Sequence, residues 1–263
     1  MKIGIVIIMF ASFLYDWPIF AQYDGAENFR LSLGAKYLSR FTAYGIDLAE
    51  DKTAVSFSST VSHKSGISLN GYMTHPSDNS QNLRQWTFGL GYETELIPNF
   101  MLSAEYNHYF YNSDTVNILS PFSNAVSVGA DIDLDFFDIG FSYDQFLGSS
   151  GATYFGFDIS TFMEAGPLFI LPIAQISFIS QTIEDKFITK LKGRKRDSEP
   201  TQTNETSISG LASTIVTLVI IYPFSDNIYA SFTPSAILSH QQDLAADSFR
   251  FVWSAGIRYR LSF

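Results

Sequence analysis

Every second residue from Phe249 to Phe263 is apolar or aromatic: Phe249, Phe251, Trp253, Ala255, Ile257, Tyr259, Leu261 and Phe263. The positions between them are Arg250, Val252, Ser254, Gly256, Arg258, Arg260 and Ser262, so three arginines share the opposite face of whatever this segment forms. A period of two is the signature of a β-strand, in which successive side chains point to opposite faces. The run, counted from Ser248, is long for a strand of a soluble sandwich. It suits a closed barrel in a lipid bilayer, where each lipid-facing residue must be apolar and each inward one is free to be polar.

The rest of the chain repeats the pattern. Twelve strands are predicted, near residues 28–40, 54–63, 66–75, 83–94, 100–111, 123–134, 137–146, 152–162, 168–181, 207–222, 227–240 and 248–263. The connections alternate between long polar stretches and short turns such as Pro98-Asn99, Gly166-Pro167 and Pro223 to Asn227. That alternation, with an even strand count, predicts an all-β transmembrane antiparallel up-and-down β-barrel of twelve strands with both termini in the periplasm. A soluble sandwich also has many strands and turns, but it gives no reason for the alternation of loop length. The loop 148–151 is short on the side where the others are long.

Met1-Lys2 and the apolar run Ile3 to Leu14 have the form of a secretory signal, and Ile19-Phe20-Ala21 is a plausible cleavage region. Residues 1–21 are therefore expected to be a signal peptide and 22–263 the barrel domain of a bacterial outer-membrane protein. Two apolar stretches, Gly166 to Ser180 and Leu211 to Phe224, are too short to cross a bilayer as helices and fit strands instead. With 25 Phe and 14 Tyr the chain can furnish a wide apolar exterior with interfacial belts. It has no cysteine, which excludes disulfides and thiol chemistry, and a net charge of −10, which tells against nucleic-acid binding.

Parity sorts the charges of the strands. On the inward face of the first and last strands stand Arg30, Lys36, Arg40, Arg250, Arg258 and Arg260. On the inward face of strands four to eight stand Glu93, Glu105, Asp131, Asp133, Asp138, Asp144 and Asp158. The first and last strands are neighbours when a barrel closes, so a lumen basic on one side and acidic on the other is expected. Such a lumen orients dipolar solutes and filters ions by charge. Opposite charges could instead pair and plug it. Twelve strands spaced about 4.8 Å apart and tilted about 40° give a backbone radius on the order of 12 Å.

The longest connection, residues 182–206, carries Lys190, Lys192, Arg194, Lys195 and Arg196, which could meet lipopolysaccharide phosphates or be a solvated loop. His63-Lys64-Ser65 has the spacing of a histidine base and serine nucleophile, the motif of certain lipid-modifying barrel enzymes. It lies in a turn on the expected periplasmic side, which tells against that reading. His75, His108 and His240 form no metal-ligand pattern, and no cofactor is expected.

Two resemblances add to this. A closing strand that ends on phenylalanine resembles those of bacterial outer-membrane barrels, which the insertion machinery reads. Tyr37-Leu38-Ser39-Arg40, Gly45, Asp51-Lys52-Thr53-Ala54, His63-Lys64-Ser65-Gly66 and Gly71 resemble the opening of the TorF-like porins. Those show a tyrosine and arginine before a glycine, a short acidic loop ending in a small residue, and a His-x-Ser-Gly turn. The chain departs in having Phe41 after the arginine, where the family commonly has glycine. The resemblance implies an outer-membrane barrel without catalytic residues and makes His63 and Ser65 a turn signature. A passive channel for small polar solutes is the leading expectation. A plugged structural or surface-binding barrel is the alternative, and a lipid-modifying enzyme the third reading. Outer-membrane lipids, lipopolysaccharide and the insertion machinery are the expected partners.

Overall fold

The computed structural model describes residues 27–40, 42–43, 46–47, 52–77, 85–111, 122–148, 151–184, 205–240 and 249–263. The expected signal segment 1–21, the basic residues 190–196 and the centre of the loop 148–151 lie outside the described residues.

Twelve antiparallel strands form the wall: β1 Phe29–Leu38, β2 Ala54–His63, β3 Ile67–Pro76, β4 Gln85–Ile97, β5 Phe100–Tyr111, β6 Phe122–Asp133, β7 Asp138–Gly148, β8 Ala152–Ser160, β9 Leu168–Glu184, β10 Glu205–Pro223, β11 Ile228–Ser239 and β12 Phe249–Ser262. Each pairs with the next in sequence, and β1 pairs with β12, from Arg30 opposite Ser262 to Leu38 opposite Ser254. The sheet is thus a closed barrel with no free edge.

Side-chain exposure alternates along the strands. On β4, Trp86, Phe88, Leu90 and Tyr92 are exposed, while Gln85, Thr87, Gly89 and Gly91 are buried. On β12, Phe249, Phe251, Trp253, Ile257, Tyr259 and Leu261 are exposed while Arg250 and Val252 are buried. An apolar outer face on a closed wall belongs in a bilayer, where every backbone group must be satisfied by the wall itself.

The short connections gather at one end, which is the periplasmic end in barrels of this class. Left-handed backbone positions close several of them: Gly66 with φ of 91°, Asn99 with 68°, Asp135 with 67° and Gly166 with 63°. Asp133 Oδ1 accepts the Asp135 N–H at 2.9 Å, and Ser225 Oγ accepts the Ile228 N–H at 3.2 Å. The described chain ends meet at this same end, where the Phe29 N–H donates to the Phe263 carbonyl and the Phe263 N–H returns to Phe29, both at 2.9 Å.

Several strand ends differ from the sequence expectation: β4 runs on to Ile97 rather than Thr94, β7 to Gly148 rather than Phe146 and β9 to Glu184 rather than Gln181, while β4 starts at Gln85 and β10 at Glu205. β1 stops at Leu38 rather than Arg40: the Ser39 N–H still donates to the Trp253 carbonyl at 2.8 Å, but the Trp253 N–H goes to Ser39 Oγ at 2.7 Å in place of a backbone carbonyl. β8 stops at Ser160, and the short strand Met163–Ala165 resumes the pairing with β9 in unbroken register. The intervening Thr161 faces Pro172, which has no N–H to give.

Candidate functional site

The inner wall is divided into sectors. At the seam, β1 and β12 place Lys36 opposite Gly256, Gly34 opposite Arg258, Ser32 opposite Arg260 and Arg30 opposite Ser262. Each cation therefore sits beside a small residue, and Arg30, Arg260 and Arg258 are diagonal neighbours. Like charges this close disfavour one another unless opposing charge is supplied. Arg260 lies over the ring of Tyr229 on β11, 5.4 Å from its centroid. Arg250 stands near the other end of β12, opposite Ile237. Arg40 is half-buried in the bend beyond β1 instead of on the strand.

The acidic residues occupy β4 to β8. Asp133 and Asp138 are directly paired across β6 and β7. Asp131 on β6 and Asp158 on β8 both stand opposite Gly140 on β7, and a side chain at Gly140 would collide with the Asp158 carboxylate. Glu105 on β5 faces Gly91 and, through Ser127, leads to Asp144. Glu93 closes the group at the periplasmic end of β4, opposite Ser103. Gly89 and Gly140 leave room for the Glu105 and Asp158 carboxylates to lie along the wall.

Between the two charged sectors lie two uncharged ones. On β2 and β3 the inner face carries Ser56, Ser58, Thr60, Ser62, Ser68, Asn70 and Thr74, with Thr74 Oγ1 3.4 Å from Ser56 Oγ. On β9 to β11 it carries no charge and mixes polar residues such as Ser177, Gln181, Ser213, Thr217 and Ser239 with apolar clusters. Leu171, Ile173, Val219 and Ile221 form one buried cluster, with Phe162, Phe169 and Tyr229 packed on it, and Ile215, Ile237 and Val252 form a second. Toward the external end Tyr109, Phe146 and Tyr154 gather, with ring centroids 6.2 and 5.7 Å apart.

Neither a protein-family model nor a curated protein matches the chain by sequence. Among solved structures the barrel is similar to the KdgM porin, at TM-score 0.53 and 7% identity over 87% of this chain and 98% of that one. It is equally similar to the KdgM porin in complex with disordered oligogalacturonate, at TM-score 0.53 and 8% identity with the same coverage. The NanC porin is similar at TM-score 0.49 and 10% identity, over 88% of this chain and the whole of that one. The fold is that of an outer-membrane β-barrel, as in the KdgM porin. Identities this low bear on architecture alone, and with the apolar outer face that architecture places the chain in the bacterial outer membrane.

In this barrel the sorting of the charges needs only parity, so it is visible in the sequence. The apolar clusters of β9 to β12 and the aromatic group are not among the residues singled out by sequence. The signal of the apolar clusters is the loss of alternation in the stretches 166–180 and 211–224, whereas the aromatic group lies outside both.

His63 and Ser65 do meet. His63 Nδ1 is 2.9 Å from Ser65 Oγ and accepts the Ser65 N–H at 3.2 Å, while the imidazole rests on Phe29 with centroids 4.8 Å apart. Phe29 in turn stacks on Phe263 at 6.0 Å. Gly66 completes the turn with its positive φ, and a Cβ there would strike the Glu93 backbone carbonyl. The pair closes a solvent-exposed turn and docks it against the seam, a structural use that accounts for both residues. Elsewhere, His108 Nδ1 lies 2.7 Å from Asn124 Oδ1 and His240 Nε2 lies 3.1 Å from Thr214 Oγ1.

Proposed function

We propose that this barrel is a passive outer-membrane channel for small polar or charged solutes. The observation that carries the reading is the separation of charge on the inner wall. The cations stand on β12 and β1, the carboxylates on β4 to β8, and uncharged strands lie between them. A structural barrel has no use for such an arrangement, which gathers like charges at a cost. A water-filled lumen with opposed basic and acidic walls uses it to orient solutes as they pass. Arg30, Lys36, Arg40, Arg250, Arg258 and Arg260 line the basic wall. Glu93, Glu105, Asp131, Asp133, Asp138, Asp144 and Asp158 line the acidic one.

Within the porin-type barrels we read the chain as TorF-like, on the strength of the first hairpin and its His-x-Ser-Gly turn. Lipids and lipopolysaccharide are then its surroundings, and Phe263 is the mark by which the insertion machinery takes it up. Reconstitution in planar bilayers tests the channel. Discrete conductance steps are expected, and electrical silence of correctly folded protein would sink the idea.

A plugged structural barrel is the second reading. What favours it is the fully buried state of Phe146, Asp144 and Tyr154 on the inner face. Silent bilayers would select this reading over the first.

A further inference from the structure

Arg250 is 4% exposed, yet among the described residues its Nε and Nη1 have no hydrogen-bond partner. The described side chains around it do not supply one. Val252, on the same face of β12, and Ile237, directly opposite on β11, pack with Ile215 as a buried apolar cluster. A guanidinium has only donors to offer and keeps its charge wherever it is placed. Holding unmet cationic donors against apolar side chains is among the costliest arrangements a wall can contain, and an anion brought to them removes that cost. Methionine or leucine would fill the same space without it.

We propose that Arg250 is an oxyanion-binding residue of the inner wall, taking the carboxylate or phosphate group of a small solute on its unmet N–H donors. Below it, β12 and β1 carry further cations in a single file: Lys36 beside Gly256, Arg258 beside Gly34, Arg260 beside Ser32 and Arg30 beside Ser262. At about 3.4 Å per residue, the file from position 250 to position 262 runs roughly 40 Å along the strand, or about 30 Å along the barrel axis at a tilt of about 40°, which matches the hydrocarbon core. Arg250 is thus the external member of a cationic file, and the solute class it selects is the small anion. The transport part of this inference rests on the channel reading, whereas binding at Arg250 does not.

Two measurements separate these parts. The full chain, refolded in detergent micelles at fixed ionic strength, is titrated with inorganic phosphate in one arm and acetate in the other while thermal unfolding is followed. A ligand that binds only the folded state raises its midpoint. At least one anion should give a saturable rise, with apparent affinity at least tenfold weaker in Arg250→Gln, and the responding arm tells phosphate from carboxylate chemistry. An equal response in parent and variant, or none in either arm, overturns the site. Arg250→Met, matched to the apolar surroundings, takes the place of Arg250→Gln should the latter fail to fold. In planar bilayers under a KCl gradient, a reversal potential on the anion side supports the file, and one on the cation side overturns it. Silent bilayers overturn the channel reading, and the micelle titration still decides Arg250.

Discussion

Asn70 on β3 donates from Nδ2 to Glu105 Oε1 on β5 at 3.0 Å, across the intervening β4. The bond is possible because β4 has no side chain in the way: Asn70 stands opposite Gly89, and Glu105 opposite Gly91. The uncharged sector is thereby tied to the acidic one along the wall, and the carboxylate is held down rather than across the lumen.

Gly89→Ala tests that arrangement. A Cβ at Gly89 would stand 2.8 Å from Glu105 Oε1 and closer still to Asn107 Oδ1, both tips of flexible side chains. They should swing toward the axis while the backbone stays. Single-channel conductance is expected to fall, with a stability change below about 1 kcal/mol. A large loss of stability with unchanged conductance would show that the carboxylate never bordered an open path.

Gly66→Ala should behave in the opposite way. The residue has a φ of 91°, and a Cβ would meet the Glu93 carbonyl, which belongs to the neighbouring strand's backbone and cannot swing aside. A loss of roughly 2 kcal/mol or more is expected, read as a lower urea midpoint in detergent micelles.

Lys36→Glu reverses one charge in the middle of the seam. The reversal potential under a salt gradient is expected to move toward cation preference, and the shift should shrink as ionic strength rises and screens the wall. No shift at low salt would mean that ions do not pass this sector.

His63→Ala removes both an acceptor of the β2–β3 turn and a ring from the stack with Phe29. It should cost about 1 kcal/mol and leave conductance unchanged. Ser65→Ala should leave phospholipid and lipid A incubated with the protein in the same state as the parent does. Hydrolysis that depends on Ser65 would restore the enzymatic reading.

The outer face was legible from parity alone, because lipid demands an apolar residue at each alternate position and β4 and β12 meet that demand almost without exception. The charges of the seam were legible for a related reason: closure makes the first strand a neighbour of the last, and only register remained to be known. Other features depend on depth and distance, which parity does not encode. Nothing in the residue order says that Arg250 is closed off from water while Lys36 is half-exposed. The apolar clusters around Leu171 and Val219 hide in runs without alternation, where inside and outside look alike. The bond from Asn70 to Glu105 joins residues that no local pattern relates.

The pairing of Arg30 with Ser262 also has a kinetic meaning. It joins nearly the two ends of the chain, whereas every other ladder joins consecutive strands, so its loop-closure entropy is the greatest of the twelve. Local hairpins form early and the most distant pairing late. The basic file therefore does not exist in any partly assembled sheet: its halves ride on opposite edges until the last ladder zips. A barrel that stalls before closure holds all its carboxylates in place and none of the wall that faces them.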